Sequence, residues 1–176
     1  MFLTFMRSLS PRTTWGLVAL AWTAMFAFGL YLQHVVGLEP CPMCIVQRYA
    51  MTGVAMIALV AVFWHQGWRG HVMAVLASAL SFGGAFVAAR QSWLQWYPPE
   101  VLSCGRDFYG MVESFPLQRA IPMIFRGGGD CSKVDWTFLG GSIANWSFVA
   151  FMATAVWLLA FAVLRYKDLL QSRRVG

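Results

Sequence analysis

Four cysteines are the residues of this chain whose types and spacing are best suited to chemistry. Cys41 and Cys44 form a C-x-x-C motif, whereas Cys104 and Cys131 stand apart from it and from each other. Thiols in such a motif exchange disulfides through their thiolate forms, so the motif predicts redox chemistry. An even number of cysteines in an oxidising compartment also fits two structural disulfides, which is the non-enzymatic alternative.

The residues around the C-x-x-C motif indicate that its sulfurs are activated. Pro40 disfavours a helix before the motif and Pro42 suits a first helical position, so we expect a helix with Cys41 near its N-cap. The positive end of the helix dipole then stabilises thiolates. Arg48 follows Cys44 by one helical turn and adds a positive charge on the same face. A purely structural disulfide does not need that charge.

The elements that must position these cysteines are four apolar segments. Only 11% of the 176 residues are charged and 59% are hydrophobic, which excludes an ordinary soluble domain. A helix needs about 20 mostly apolar residues to cross a bilayer, and segments at about residues 15–32, 44–64, 72–89 and 143–164 meet that requirement. We therefore predict an all-α membrane protein, a four-transmembrane-helix bundle that forms a single integral membrane domain over residues 1–176.

Basic residues predict the orientation of this bundle, because cytoplasmic flanks of spanning helices collect Lys and Arg. Both tails and the loop between the second and third segments are basic, with Arg7, Arg12, Arg69, Arg165, Lys167, Arg173 and Arg174. Both termini are therefore predicted to be cytoplasmic, and the loops at about residues 33–43 and 90–142 periplasmic. All four cysteines then face the periplasm from a bacterial inner membrane. A cleaved signal peptide is the alternative for the first segment, although its apolar run is longer than usual.

Three further patterns concern packing and contact with the bilayer. Aromatic residues cluster near the segment ends, where their rings favour the membrane interface: Trp15, Tyr31, Trp64, Trp68, Trp93, Trp96, Trp146 and Tyr166. The third segment carries small residues that permit close helix packing, at Ala77, Ser81, Ala85 and Ala89 with Gly83 and Gly84. In the long loop, the apolar residues around Arg119 predict a short helix on the membrane surface, or packing inside a small exported subdomain.

A dithiol that gives up electrons at the membrane surface needs an electron acceptor. The sequence has no C-x-x-C-H haem motif, no iron–sulfur spacing and no dinucleotide-binding fingerprint, and its cysteines lack the paired spacing of common zinc sites. A lipid-soluble quinone is the acceptor that a membrane offers, and Arg48 can stabilise either a thiolate or the anionic form of that acceptor. Export of reductant would need a cysteine on the inner side, and the sequence has none. Nucleic-acid binding is not predicted, because the basic residues are spread over separate tails.

The order and spacing of these features resemble the disulfide bond formation protein B (DsbB) family, the quinone-dependent thiol oxidases of bacterial inner membranes. The resemblance covers nearly the whole chain. It rests on the four spans and on four short stretches: Gln33-His34-Val35, Pro40-Cys41-x-x-Cys44 with Arg48 one turn on, Trp96-Tyr97-Pro98 before Cys104, and Gly129-Asp130-Cys131 before Trp136.

The resemblance implies a relay of electrons. The pair matching Cys104 and Cys131 oxidises the dithiol of a periplasmic, thioredoxin-fold partner of the DsbA type. Electrons then pass to the pair matching Cys41 and Cys44, and onward to bound ubiquinone or menaquinone from the membrane pool. By matching positions, Cys104 forms the mixed disulfide with the partner, Cys131 exchanges with Cys41, and Cys44 faces the quinone with Arg48 beside it.

This chain departs from some family members at two positions near the motif. Those members carry an acidic residue before the position of Arg48 and a His after the third span, where this chain has Gln47 and Gln91. The predicted quinone-binding residues are therefore Arg48 and Cys44, and no polar contact to a quinone beyond Arg48 is predicted.

Overall fold

Four long helices dominate the structure. The computed structural model describes residues 9–98 and 129–175. In chain order its elements are α1 (Pro11–His34), α2 (Pro42–Trp64), α3 (Trp68–Trp96), α4 (Gly129–Ser132), β1 (Thr137–Phe138), β2 (Gly141–Ser142) and α5 (Ile143–Val175). Helices α1, α2, α3 and the Ile143–Leu164 part of α5 are long and apolar enough to cross a membrane. The prediction of a four-helix, all-α membrane protein is confirmed, whereas the predicted surface helix around Arg119 lies outside the described residues.

The helices extend beyond the apolar cores that define them in the sequence. Helix α1 begins at Pro11, where the Ser10 hydroxyl accepts a hydrogen bond from the backbone N–H of Thr13 at 3.1 Å. Helix α3 continues to Trp96, past residue 90 where the long loop was predicted to begin. A helix satisfies its own backbone hydrogen bonds, so it can continue where the side chains turn polar. This extension places Gln91 within the protein interior.

The long helices form an up-and-down bundle in which α3 packs against α2 and α5, and α1 packs against α2. Its buried core has three layers. The layer nearest the start of α1 contains Trp15, Ala19, Ala58, Ala61, Ala74, Ala77, Leu158, Phe161 and Ala162. The middle layer contains Trp22, Ala50, Met51, Val54, Ala85 and Phe151. The third layer, at the end where α2 begins, contains Cys41, Met43, Val87, Leu94 and Cys131.

Small residues allow the central helix α3 to approach its neighbours closely, as its sequence predicts. A Cβ atom added at Gly84 would lie 2.5 Å from a ring carbon of Phe151 on α5. On the other side, a Cβ atom at Gly53 of α2 would lie 2.6 Å from a methyl carbon of Leu80. Glycine at position 84 therefore permits the approach of the Phe151 ring, whereas at position 53 the flexible end of Leu80 is the close neighbour.

The aromatic residues predicted at the bilayer interface divide into two groups. Most of them are exposed, namely Tyr31, Trp64, Trp68, Trp93, Trp96, Trp146 and Tyr166. Trp15 is instead fully buried, and its ring packs edge-on against Phe161 with the centroids 6.1 Å apart. Trp15 therefore serves core packing, because the alanines of the same core layer leave room for a large ring.

A short β-hairpin leads into α5. Its turn, Leu139–Gly140, has φ values of 48° and 79°, and two positive φ angles are typical of the type I′ turns that suit two-residue hairpins. The hydroxyl of Ser142 donates to Oε1 of Gln95 on α3 at 2.6 Å. The indole N–H of Trp146 donates to the carbonyl oxygen of Phe138 at 2.8 Å. The hairpin is therefore held between α3 and the start of α5.

Candidate active site

The C-x-x-C motif lies at the N-terminus of α2, as its prolines predict. Cys41 is the N-cap residue, and its Sγ accepts a hydrogen bond from the backbone N–H of Cys44 at 3.4 Å. Pro42 occupies the first turn, where its missing N–H leaves no helical hydrogen bond unmade. The two thiol sulfurs lie 3.0 Å apart. The predicted helix start at this motif is confirmed.

A third sulfur reaches this pair from a distant part of the chain. Cys131 on α4 is fully buried, and its thiol shares a hydrogen bond with the thiol of Cys41. Hydrogen bonds with Cys131 and Cys44, together with burial, raise the pKa of the Cys41 thiol. These contacts therefore favour the protonated form of Cys41.

Two buried amides lie beside the same sulfurs. The Nε2 of Gln91 on α3 donates toward Sγ of Cys41 at 3.4 Å and Sγ of Cys44 at 3.2 Å. The Nε2 of Gln47 on α2 donates to Oε1 of Gln91 at 2.7 Å. These contacts were not predicted from the sequence. Gln47, an uncharged polar side chain within the apolar segment at 44–64, is the signal that points to them, because a buried amide needs hydrogen-bond partners. Gln91 lies beyond the predicted third segment and gives no such signal.

Arg48 lies one turn after Cys44, as predicted, and its guanidinium turns toward α1. Its Nη2 donates to the carbonyl oxygen of Gly29 at 3.0 Å, and its Nη1 donates to Oε1 of Gln33. The positive charge is therefore anchored by α1 while Arg48 lines the same cavity as Cys44. The hydrogen bond to Gly29 could not be predicted from the sequence, because every residue type has a backbone carbonyl.

A cavity of about 710 Å³ opens beside the sulfurs. It is bounded by α1, α2, the end of α3, residues 133–138 and the start of α5. Most of its lining is apolar, and the aromatic side chains are Phe26, Phe28, Trp136, Phe138 and Trp146. The rings of Phe28 and Trp136 pack against each other with centroids 5.7 Å apart. An apolar cavity with a few polar groups is typical of small-molecule sites.

The structure brings together four of the five predicted site residues: Cys41, Cys44, Cys131 and Arg48. The fifth, Cys104, lies outside the described residues. Within residues 9–98 and 129–175, no group of three His, Cys, Asp or Glu side chains is arranged to hold a metal ion.

Comparison with known proteins places this arrangement in a family. The family model described as "Disulfide bond formation protein DsbB" matches residues 11–161 of the chain. The chain belongs to the DsbB family. The resemblance inferred from its motifs is thereby confirmed.

Named relatives in the DsbB family are similar over most of their length. The Disulfide bond formation protein B of Albidiferax ferrireducens is 69% identical, over 95% of this chain and 93% of the relative. The protein of the same name from Paracidovorax citrulli is 66% identical, over 85% of this chain and 86% of the relative. Membership of the DsbB family assigns the chain a role in disulfide bond formation, as a disulfide oxidoreductase.

Proposed function

We propose that this chain is a quinone-dependent thiol oxidase that reoxidises a periplasmic, thioredoxin-fold partner of the DsbA type. One observation carries the proposal. Three cysteine sulfurs, from two separate parts of the chain, meet beside one apolar cavity, and Cys41, Cys44 and the half-buried Arg48 line that cavity. A structural disulfide needs neither the third sulfur nor the cavity.

The first exchange takes two electrons from the partner dithiol. A partner thiolate attacks Cys104 of the Cys104–Cys131 disulfide, which releases Cys131 and forms a mixed disulfide. The second partner thiolate then displaces Cys104, so the partner leaves as a disulfide and both chain cysteines become thiols. The assignment of the mixed disulfide to Cys104 follows the resemblance to the family.

The second exchange passes these electrons to the C-x-x-C motif. The thiolate of Cys131 attacks Cys41 of the Cys41–Cys44 disulfide and releases Cys44 as a thiolate. Cys104 then attacks Cys131, which restores the Cys104–Cys131 disulfide and leaves Cys41 and Cys44 reduced. The contact between the Cys131 and Cys41 thiols supports this order, because exchange requires the two sulfurs to meet.

The cavity suits ubiquinone or menaquinone as the electron acceptor. Its apolar and aromatic lining matches a flat, lipid-soluble ring, and the Arg48 guanidinium offers a charged donor for a carbonyl oxygen. A bound quinone supplies a two-electron, two-proton acceptor, so that closing the Cys41–Cys44 disulfide yields quinol. The positive charge of Arg48 also compensates negative charge on Cys44 before that disulfide closes.

We place the chain in the bacterial inner membrane, with both termini in the cytoplasm and the cysteines facing the periplasm. The bundle supports this orientation. The start of α1 and the α2–α3 connection share the end that carries Arg12 and Arg69, whereas Cys41 and Cys131 belong to the core layer at the other end. Basic flanks favour the cytoplasmic side.

Electron transfer from the C-x-x-C motif to a quinone can be tested without a partner protein. The full chain, reduced in detergent and freed of reductant under anaerobic conditions, is mixed with a soluble quinone analogue. We expect one quinone to be consumed for each Cys41–Cys44 disulfide formed. The Cys44→Ser variant cannot close that disulfide and should leave the quinone unchanged. A reduced wild-type chain that does not consume quinone would contradict the proposal.

A further inference from the structure

The side-chain amides of Gln47 and Gln91 form a hydrogen-bonded pair whose donor end faces the cysteines. Both side chains are buried, with 3% and 4% of their surface exposed. A side-chain amide has a donor end and an acceptor end. The acceptor Oε1 of Gln91 is occupied by Gln47 at 2.7 Å, so the donor Nε2 is the end directed at the sulfurs.

The distances around Cys44 favour its ionised form. Its Sγ lies 3.2 Å from Nε2 of Gln91 and 3.7 Å from Oε1 of the same amide. A thiolate accepts hydrogen bonds and cannot donate them, so the nearer N–H group stabilises the thiolate more than the carbonyl stabilises the thiol. Burial strengthens this preference, because a hydrogen bond to a charged group is stronger where water is excluded.

We propose that Gln91 is a catalytic residue for thiol exchange, which stabilises the Cys44 thiolate by direct hydrogen-bond donation, and that Gln47 is the positioning residue that fixes the Gln91 amide. This inference deepens the proposed oxidase function and rests on it for its role in turnover. Neither amide titrates, so both keep the same hydrogen-bonding groups at every pH of the test below.

Charged groups near the site act separately from the amides, and Arg48 also stabilises negative charge on Cys44. Those that line the cavity besides the cysteines are Arg48 on α2, Glu39 before α2, and Lys133 and Asp135 after α4. Glu39, Lys133 and Asp135 are exposed, and solvent screens their charges. The variants below leave all four groups in place, so a change in Cys44 reactivity reports on the amides.

The test is the pH dependence of Cys44 alkylation. The reduced full chain in detergent reacts with iodoacetamide between pH 5 and 10, and the rate at Cys44 is read by mass spectrometry. The Gln91→Leu variant should lower the alkylation rate at pH 7 about tenfold and move the midpoint of the rate–pH curve to higher pH. A hydrogen bond to a charged group changes an equilibrium constant by at least about a factor of ten. The plateau rate of this variant at high pH should match wild type, because that rate reports access to the sulfur.

The Gln47→Leu variant tests the positioning role, because Gln47 bonds to Gln91 and acts on the sulfurs only through it. It should lower the rate at pH 7 about threefold, the smaller loss expected when a neutral hydrogen bond is removed. Gln95→Leu is the matched control, because it removes a half-buried amide one helical turn from Gln91 that bonds to Ser142 instead. Its alkylation midpoint should equal that of wild type.

Two results would overturn the inference. One is an unchanged midpoint in Gln91→Leu protein that circular dichroism shows to be folded. The other is an equal shift in Gln91→Leu and Gln95→Leu, which would assign the effect to the loss of any buried amide. If Gln91→Leu does not fold, an unchanged midpoint in Gln47→Leu overturns it. The assay contains neither quinone nor partner, so these failures leave the oxidase proposal standing.

Discussion

The thiol of Cys131 contacts the thiol of Cys41, although α4 and the start of α2 are widely separated in the chain. The contact lies in the core layer that also contains Met43 and Leu94, so packing of α4 on α3 holds the sulfurs together. In the proposed relay, this contact is where Cys131 exchanges with Cys41 of the C-x-x-C motif.

This contact predicts a disulfide that can be trapped. In the Cys44→Ser, Cys104→Ser double variant, Cys41 and Cys131 are the remaining cysteines, and mild oxidation should join them within one chain. Mass spectrometry of the cleaved protein measures the product. The matched control, Cys41→Ser with Cys104→Ser, should close its remaining pair more slowly. Two thiols that both stay open to alkylation in the first variant would contradict the observed contact.

Arg48 should affect the acceptor more than the partner. Its guanidinium lines the cavity and is anchored by Gly29 and Gln33, so Arg48→Ala should raise the KM for quinone about tenfold or more, the usual cost of losing a charged hydrogen bond. Steady-state kinetics with each substrate varied in turn measure this. Arg12→Ala is the control, since Arg12 donates to the Val62 carbonyl at the other end of the bundle. A raised partner KM with normal quinone kinetics would argue against this role.

Two cysteine variants should both lose turnover, but at different steps. Cys44→Ser removes the sulfur that closes the C-x-x-C disulfide, so it should fail even with quinone alone. Cys104→Ser removes the sulfur that meets the partner, so it should still consume one equivalent of quinone when reduced beforehand. Full steady-state activity in either variant would rule out the relay.

Gly84 should be more sensitive to substitution than its neighbour. Gly84→Ala places a methyl group 2.5 Å from the ring of Phe151, and overpacking of this kind costs about 1 to 3 kcal/mol. Gly83→Ala is the matched control, because no atom lies within 4 Å of its added Cβ. Thermal unfolding in detergent should show a lower midpoint for Gly84→Ala alone. Equal midpoints would mean that α3 and α5 do not pack this closely.

Features that depend on local sequence were predictable from the chain itself. The four helices follow from the length of uncharged segments, and the helix start at Cys41 follows from Pro42. Features that depend on packing were not. Gln91 meets the sulfurs only because α3 lies against α2, and the buried position of Trp15 depends on small residues from other helices.

In the proposed relay, electrons from a partner dithiol leave through Cys44 to a quinone. The most direct measurement mixes the full chain in detergent with a reduced DsbA-type protein and a soluble quinone, and follows quinone absorbance and partner thiols together. We predict that one quinone disappears for each partner disulfide formed, and that Cys44→Ser abolishes both changes. Unchanged quinone, with a partner shown to be competent for exchange, would contradict the account and leave two structural disulfides in a membrane scaffold as the remaining explanation.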